Sequence, residues 1–193
     1  MGGKLIVLYG ANNLGKSTQV ELLEKYLTNH QISVKRIKYP IYDLEPTGPL
    51  INEVLRKGKK LPEEEFQRTY VQNRRDFEPT LKSILDSGTW VIAEDYIGTG
   101  IAWGMVRGVA LKVLEKMNTG LYPADLSIVL YGKQFESGKE LDHKNETDSN
   151  IWETAQNNHL LLAKKYKWKK VKANQSVEKV NQNITKIIKQ YFF

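Results

Sequence analysis

Residues 4–23 read KLIVLYGANNLGKSTQVELL: an apolar run, a glycine-bounded loop, then a stretch with helical spacing. Lys4–Tyr9 has the length and branching of a buried strand, closed by Gly10. Val20, Leu22, Leu23 and Leu27 fall on one face of a helix. Between them, Gly10, Gly15, Lys16 and Ser17 complete G-x-x-x-x-G-K-[ST] in a strand–loop–helix setting. Such a loop curls backbone N–H groups around phosphate oxygens at a helix N-terminus, where the dipole favours anions. The lysine then neutralises the β- and γ-phosphates and the hydroxyl ligates Mg²⁺. The cradle Gly10, Ala11, Asn12, Asn13, Leu14, Gly15, Lys16, Ser17 and Thr18 is therefore expected to hold ATP with Mg²⁺.

The remaining pattern extends this unit. Ile32–Pro40 alternates as a second strand, and helices are expected near Leu50–Lys57 and from Pro62 towards Ser87, the latter kinked or broken at Pro79. Thr89–Asp95 is a third buried strand, Thr99–Lys116 a helix, and Asp125–Tyr131 a fourth strand. Gly132–Asn150 is polar and aperiodic, and reads as a lid. Ile151–Tyr166 returns to helix, Trp168–Ala173 is a fifth strand, and Val177–Phe192 is a closing amphipathic helix. Alternating strands and helices predict an α/β P-loop NTPase fold, with a five-stranded, mostly parallel sheet flanked by helices. All 193 residues form one expected unit, with 132–150 as its lid.

Composition narrows the chemistry. The 193 residues contain no cysteine, which excludes disulfides and thiolate metal sites. His30, His143 and His159 show no ligand spacing. The short apolar N-terminal run is too brief for a signal peptide or membrane span, so a cytoplasmic protein without a membrane partner is expected. The net charge of +7 rests on 23 lysines and six arginines. KKYKWKK, Lys164–Lys170, interleaves aromatics with lysines as a nucleic-acid surface does, but fits better the solvated end of a helix entering a strand, which is the reading adopted. No N-K-x-D guanine signature is present, and the chain is short for a motor ATPase, leaving a compact kinase.

Beyond the loop, the chain resembles the thymidylate kinases, which transfer the γ-phosphoryl of ATP to dTMP. The likeness runs through GKSTQ (Gly15–Gln19), Tyr39-Pro40 with Gly48, YVQNRRDFEP (Tyr70–Pro79), VIAEDYIGTGIAWG (Val91–Gly104), GLYPADLSIVL (Gly120–Leu130), IWE (Ile151–Glu153) and KAN (Lys172–Asn174). The resemblance implies roles. Tyr70 stacks on the acceptor base and Arg74 bonds its polar edge; Tyr39, Tyr96 and Gly100 belong to the same pocket. Trp103 crowds the sugar, Trp152 flanks it, and Asn12 meets its hydroxyl. Asn174 lies near adenine, Glu94 near the metal, and Lys16, Glu94 and Asp95 at the reaction centre.

Departures cluster on the phosphates. Asp95 and Tyr42 stand where the family carries arginines for the acceptor phosphate. Asn13 stands at a catalytic arginine position of the loop, and Asn12 replaces an aspartate. Gly132–Asn150 contains no arginine, leaving lysines such as Lys139 and Lys144 as lid cations. Phosphorylation of a deoxynucleoside monophosphate, dTMP to dTDP, is the expected activity. Transfer to a nucleoside or other hydroxyl acceptor, and nucleotide binding with impaired catalysis, are the alternatives. Nucleotide substrates are the expected partners. The apolar face around Trp103–Leu114 is expected either to mediate a homodimer or to cover the sheet.

Overall fold

The computed structural model describes residues 2–135 and 149–193. Five strands, β1 (Leu5–Tyr9), β2 (Val34–Lys38), β3 (Trp90–Glu94), β4 (Leu126–Tyr131) and β5 (Lys169–Lys172), form one sheet in the order β2-β3-β1-β4-β5. Every pairing is parallel. The strand nearest the N-terminus thus sits at the centre, with all five residues buried. Burying such Leu, Ile and Val side chains contributes roughly 1.5–3 kcal/mol each.

Helices α1 (Lys16–Asn29) and α7 (Val177–Phe192) cover one face. Their apolar stripes, including Leu23, Leu27, Ile184 and Ile188, meet Ile6, Leu8 and Ile128 of the sheet. The other face packs Leu5, Val7 and Val91 against Leu81 and Leu85 of α3 (Glu63–Asp86). Helices α2 (Thr47–Arg56), α4 (Ile97–Val106), α5 (Leu111–Met117) and α6 (Ser149–Lys165) complete the chain.

Two expectations are corrected. Pro79 lies inside α3, so of the expected kink or break the break does not occur. A helix-interior proline costs about 3 kcal/mol, and Leu81 and Leu85, buried in the turns that follow it, hold the helix against that cost. The helix expected over Thr99–Lys116 is two helices instead. Gly108 takes φ +85° between α4 and α5, a left-handed turn that ends the first helix.

The expected lid lies mostly outside the described residues, as do Lys139, His143 and Lys144; Gly132–Phe135 follow β4, and Ser149 opens α6. Trp103, Gly104 and Leu114 are buried, whereas Met105, Val106, Val109, Leu111 and Val113 are half-buried and Gly108, Ala110 and Lys112 exposed, so the Trp103–Leu114 stretch covers the interior at its ends and keeps a partly open apolar face between them. The lysine-rich KKYKWKK segment joins α6 to the edge strand β5. Trp168 stacks on Tyr9 at 4.2 Å and 15°, and the Tyr166 hydroxyl donates to Glu115. These rings are engaged within the fold, while Lys169, Lys170 and Lys172 leave the sheet edge charged. No helix of the described residues is long and apolar enough to cross a membrane.

Candidate active site

The carboxyl ends of β1, β2 and β3 open onto one cavity of about 550 Å³. Open parallel sheets place ligands at this edge, where connections leave in opposite directions. Asn12 to Thr18 line one end, and Tyr39, Tyr70, Arg74, Tyr96, Gly100 and Trp103 line the other. Lys38, Glu94, Asp95 and Thr99 lie among the lining as well.

At the loop end, the Lys16 ammonium is 6% exposed and donates to Gly10 O at 2.9 Å and Ala11 O at 3.0 Å. Its third neighbour is Asp95 Oδ1, at 3.7 Å. A buried ammonium needs such acceptors for its three donors. Asp95 sits at φ +62°, a left-handed conformation that aspartate tolerates better than most residues. Thr99 Oγ1 donates to its Oδ1 at 2.7 Å. Burial, reinforced by the neighbouring Glu94 carboxylate, raises the Asp95 carboxyl above its ordinary range despite the opposing pull of Lys16 and Thr99.

Glu94 is the last residue of β3 and pairs in register with Leu8 on one side and Lys38 on the other. Its Oε1 accepts from Ser17 Oγ at 3.0 Å and from Lys38 Nζ at 3.0 Å. Burial works against the Lys38 charge, but the Glu94 carboxylate with its hydrogen bond, and Asp95 behind it, hold the ammonium above the usual lysine range. The Ser17 hydroxyl and Glu94 carboxylate form a pair of hard oxygen donors suited to Mg²⁺.

The far end is aromatic. Tyr39 and Tyr96 rings lie 4.9 Å apart, and Phe66 backs Tyr70 at 4.7 Å. Arg74 is 4% exposed, and its Nη1 donates to Asn118 Oδ1 at 3.2 Å. Burial pulls its guanidinium down from the usual arginine range, partly offset by the surrounding tyrosines. The Tyr39 hydroxyl and Arg74 Nε are buried and find no partner among the described residues. Buried polar groups without partners are rare in a folded core, so these two mark the aromatic end as a place the fold itself leaves unsatisfied. Asn73 fixes the segment that carries Tyr39 and Tyr42, bonding Ile41 N at 2.8 Å, Ile41 O at 2.9 Å and Thr47 Oγ1 at 2.9 Å.

Two expected site residues lie elsewhere. Trp152 is packed in the core beside Leu14, and its indole N–H donates to Asn12 O at 2.7 Å. It supports the loop from beneath and does not line the cavity, because its polar atom is spent on that carbonyl. Asn174 likewise does not line the cavity. Its amide clamps the Lys133 backbone, donating to Lys133 O at 3.0 Å and accepting from Lys133 N, while Ala173 and Gln175 face the opening. Gly10 and Ala11 contribute carbonyls to Lys16 rather than surface. Lys38, Thr99 and Arg56 are lining residues that the motifs do not reveal. The signal for Lys38 was its place at the carboxyl end of a parallel strand, directly before Tyr39-Pro40.

A family model described as thymidylate kinase matches residues 8–184. The thymidylate kinase of Plasmodium falciparum is 29% identical over 192 residues, covering 95% of this chain and 89% of the relative. That of Homo sapiens is 26% identical over 187 residues, covering 94% and 88%. Among solved structures, thymidylate kinase from Candida albicans superposes with a TM-score of 0.83 at 23% identity, covering 98% of this chain and 92% of that one. This last likeness carries the fold.

Proposed function

The chain belongs to the thymidylate kinase family, ATP-dependent phosphotransferases that convert dTMP to dTDP, and we propose that it performs this transfer in the cavity at the carboxyl edge of its sheet. One observation carries the reading: a single cavity joins the phosphate loop to an aromatic pocket with a buried, partly unpartnered arginine. A nucleotide donor at one end and a nucleoside monophosphate at the other meet between Lys16 and Lys38.

In this reading, the backbone of Asn12–Thr18 and the Lys16 ammonium hold the ATP phosphates. Lys16 exchanges its contact with Asp95 for phosphate oxygens when the donor enters. Tyr39, Tyr70, Tyr96 and Arg74 fix the thymine base, Trp103 lies against the sugar with Gly100 below, and Asn12 accepts from the sugar hydroxyl. Ser17 and Glu94 hold Mg²⁺, which, when bound, offsets charge on the transferring phosphoryl group. A phosphate oxygen of dTMP forms the new bond to the γ-phosphorus as the bond to the β-phosphate oxygen breaks, releasing ADP. That oxygen is already ionised, so Glu94 and Asp95 need not act as bases. Catalysis is positioning and charge neutralisation.

We read residues 1–193 as one kinase unit acting on nucleotides in the cytoplasm. A homodimer belongs to this reading, with the half-buried Val106, Val109, Leu111 and Val113 as its candidate surface, and sedimentation velocity decides it. Incubation with ATP and Mg²⁺ against dTMP, the other nucleoside monophosphates and free nucleosides tests the activity, with products identified by mass spectrometry. dTDP as the dominant product is expected. Transfer only to a nucleoside, or no transfer despite ATP binding, contradicts the reading.

A further inference from the structure

The cations of the cavity are not equally available. Lys16 is folded back onto Gly10 O and Ala11 O. Arg74 is buried at the aromatic end and tied to Asn118. Arg56 lies over the Tyr42 ring at 5.1 Å and bonds Asn52 Oδ1 at 3.2 Å. Lys38 differs: its side chain is 61% exposed, and the ion pair it makes, with Glu94, leaves donors on the ammonium to spare.

Its position is also specific. Lys38 pairs in register with Glu94, whose Oε1 also receives Ser17 of the phosphate loop. The next residue, Tyr39, lines the aromatic pocket. Lys38 therefore stands between the donor end and the base end, where the phosphate of an acceptor nucleotide must lie if it is to attack the γ-phosphorus. Two carboxylates, Glu94 and Asp95, face the same space. An incoming phosphate dianion beside them requires a compensating cation, and Asp95 and Tyr42 supply none.

We propose that Lys38 is the residue that grips the acceptor's phosphate, using its free donors while Glu94 holds the ammonium at the cavity through one of the others. This rests on the reading that the acceptor is a nucleoside monophosphate. A flexible ammonium on a four-carbon stem acts as a point charge on phosphate and needs no fixed fork geometry. It thereby replaces, from the end of β2, a contact that arginine makes in other settings.

Calorimetry with dTMP and thymidine tests this, because the pair differs only in the phosphate. Lys38→Met is expected to weaken dTMP binding about tenfold, the size of one hydrogen bond to a charged group, with thymidine and ATP binding unchanged. Lys38→Arg is expected to restore most of the dTMP affinity. A dTMP-to-thymidine preference that survives Lys38→Met overturns the role of Lys38 alone. Equal weakening of dTMP, thymidine and ATP also overturns it, since Lys38 would then act by holding Glu94. A wild-type protein that binds the monophosphate no better than the nucleoside contradicts the functional reading itself.

Discussion

Arg74 reaches the cavity across the backbone of Gly100: a Cβ at that position would lie 2.4 Å from Arg74 Nη2 and 3.1 Å from Nη1. The guanidinium is buried and bonded to Asn118, so it has little room to withdraw. Gly100→Ala is therefore expected to displace Arg74 from the acceptor base. The predicted result is a rise of about tenfold or more in KM for dTMP, as for loss of a charged hydrogen bond, with KM for ATP unchanged. Steady-state kinetics in both substrates checks it. An unchanged dTMP KM would mean that Arg74 does not contact the acceptor.

The Asp95 carboxyl is raised above its ordinary range by burial and by Glu94. A carboxyl whose folded pKa lies above its unfolded value near 4 destabilises the fold when ionised, and that cost disappears as pH falls below the unfolded value. Asp95→Asn keeps the shape and removes the charge. It is expected to unfold at a higher temperature than wild type at pH 7, with the gap closing below about pH 4. It should also tighten ATP binding, because Lys16 loses its competing anion. Thermal melts across pH and ATP titrations measure the two effects; a lower melting temperature at pH 7 would contradict the account.

His159 is the second pH-sensitive group. Burial, with the Lys16 charge nearby, depresses its pKa to about 4 even though Nδ1 meets Ala155 O at 2.7 Å. Its Nε2 is without a partner among the described residues. The folded value lies below the unfolded one near 6.5, so the neutral imidazole is favoured by the fold and stability is lost as pH falls from about 6.5 towards 4. The loss is about 3 kcal/mol over that interval. His159→Leu is expected to remove this slope from urea denaturation midpoints; a slope that persists would assign it to other groups.

What the sequence revealed depended on how local the determinant was. The phosphate loop was legible because the unbroken run from Leu5 to Ser17 specifies a strand, a turn and a helix start, and each agrees with the others. The strands followed from short apolar runs. Gly108 escaped because helical spacing continues on both sides of it, and only its left-handed φ separates α4 from α5. Lys38 escaped because its meaning lies in the register between β2 and β3, which brings it to Glu94 across 56 residues of chain. Motif position points Trp152 to the acceptor sugar and Asn174 to adenine, yet each spends its polar atoms on loop backbone. Neighbours in sequence, such as Gln175, take the exposed place instead.

The central claim is that this cavity moves a phosphoryl group from ATP to dTMP through Lys16, although arginine is absent from the Asp95 and Tyr42 positions. Transfer of label from γ-labelled ATP to dTMP, by wild type and Lys16→Ala purified in parallel, tests it most directly. The account predicts labelled dTDP from wild type and a drop of about 100-fold or more in the variant, the scale on which a lost charge-stabilising group slows an enzyme. Equal labelling by both proteins, or release of inorganic phosphate without labelled dTDP, would contradict it.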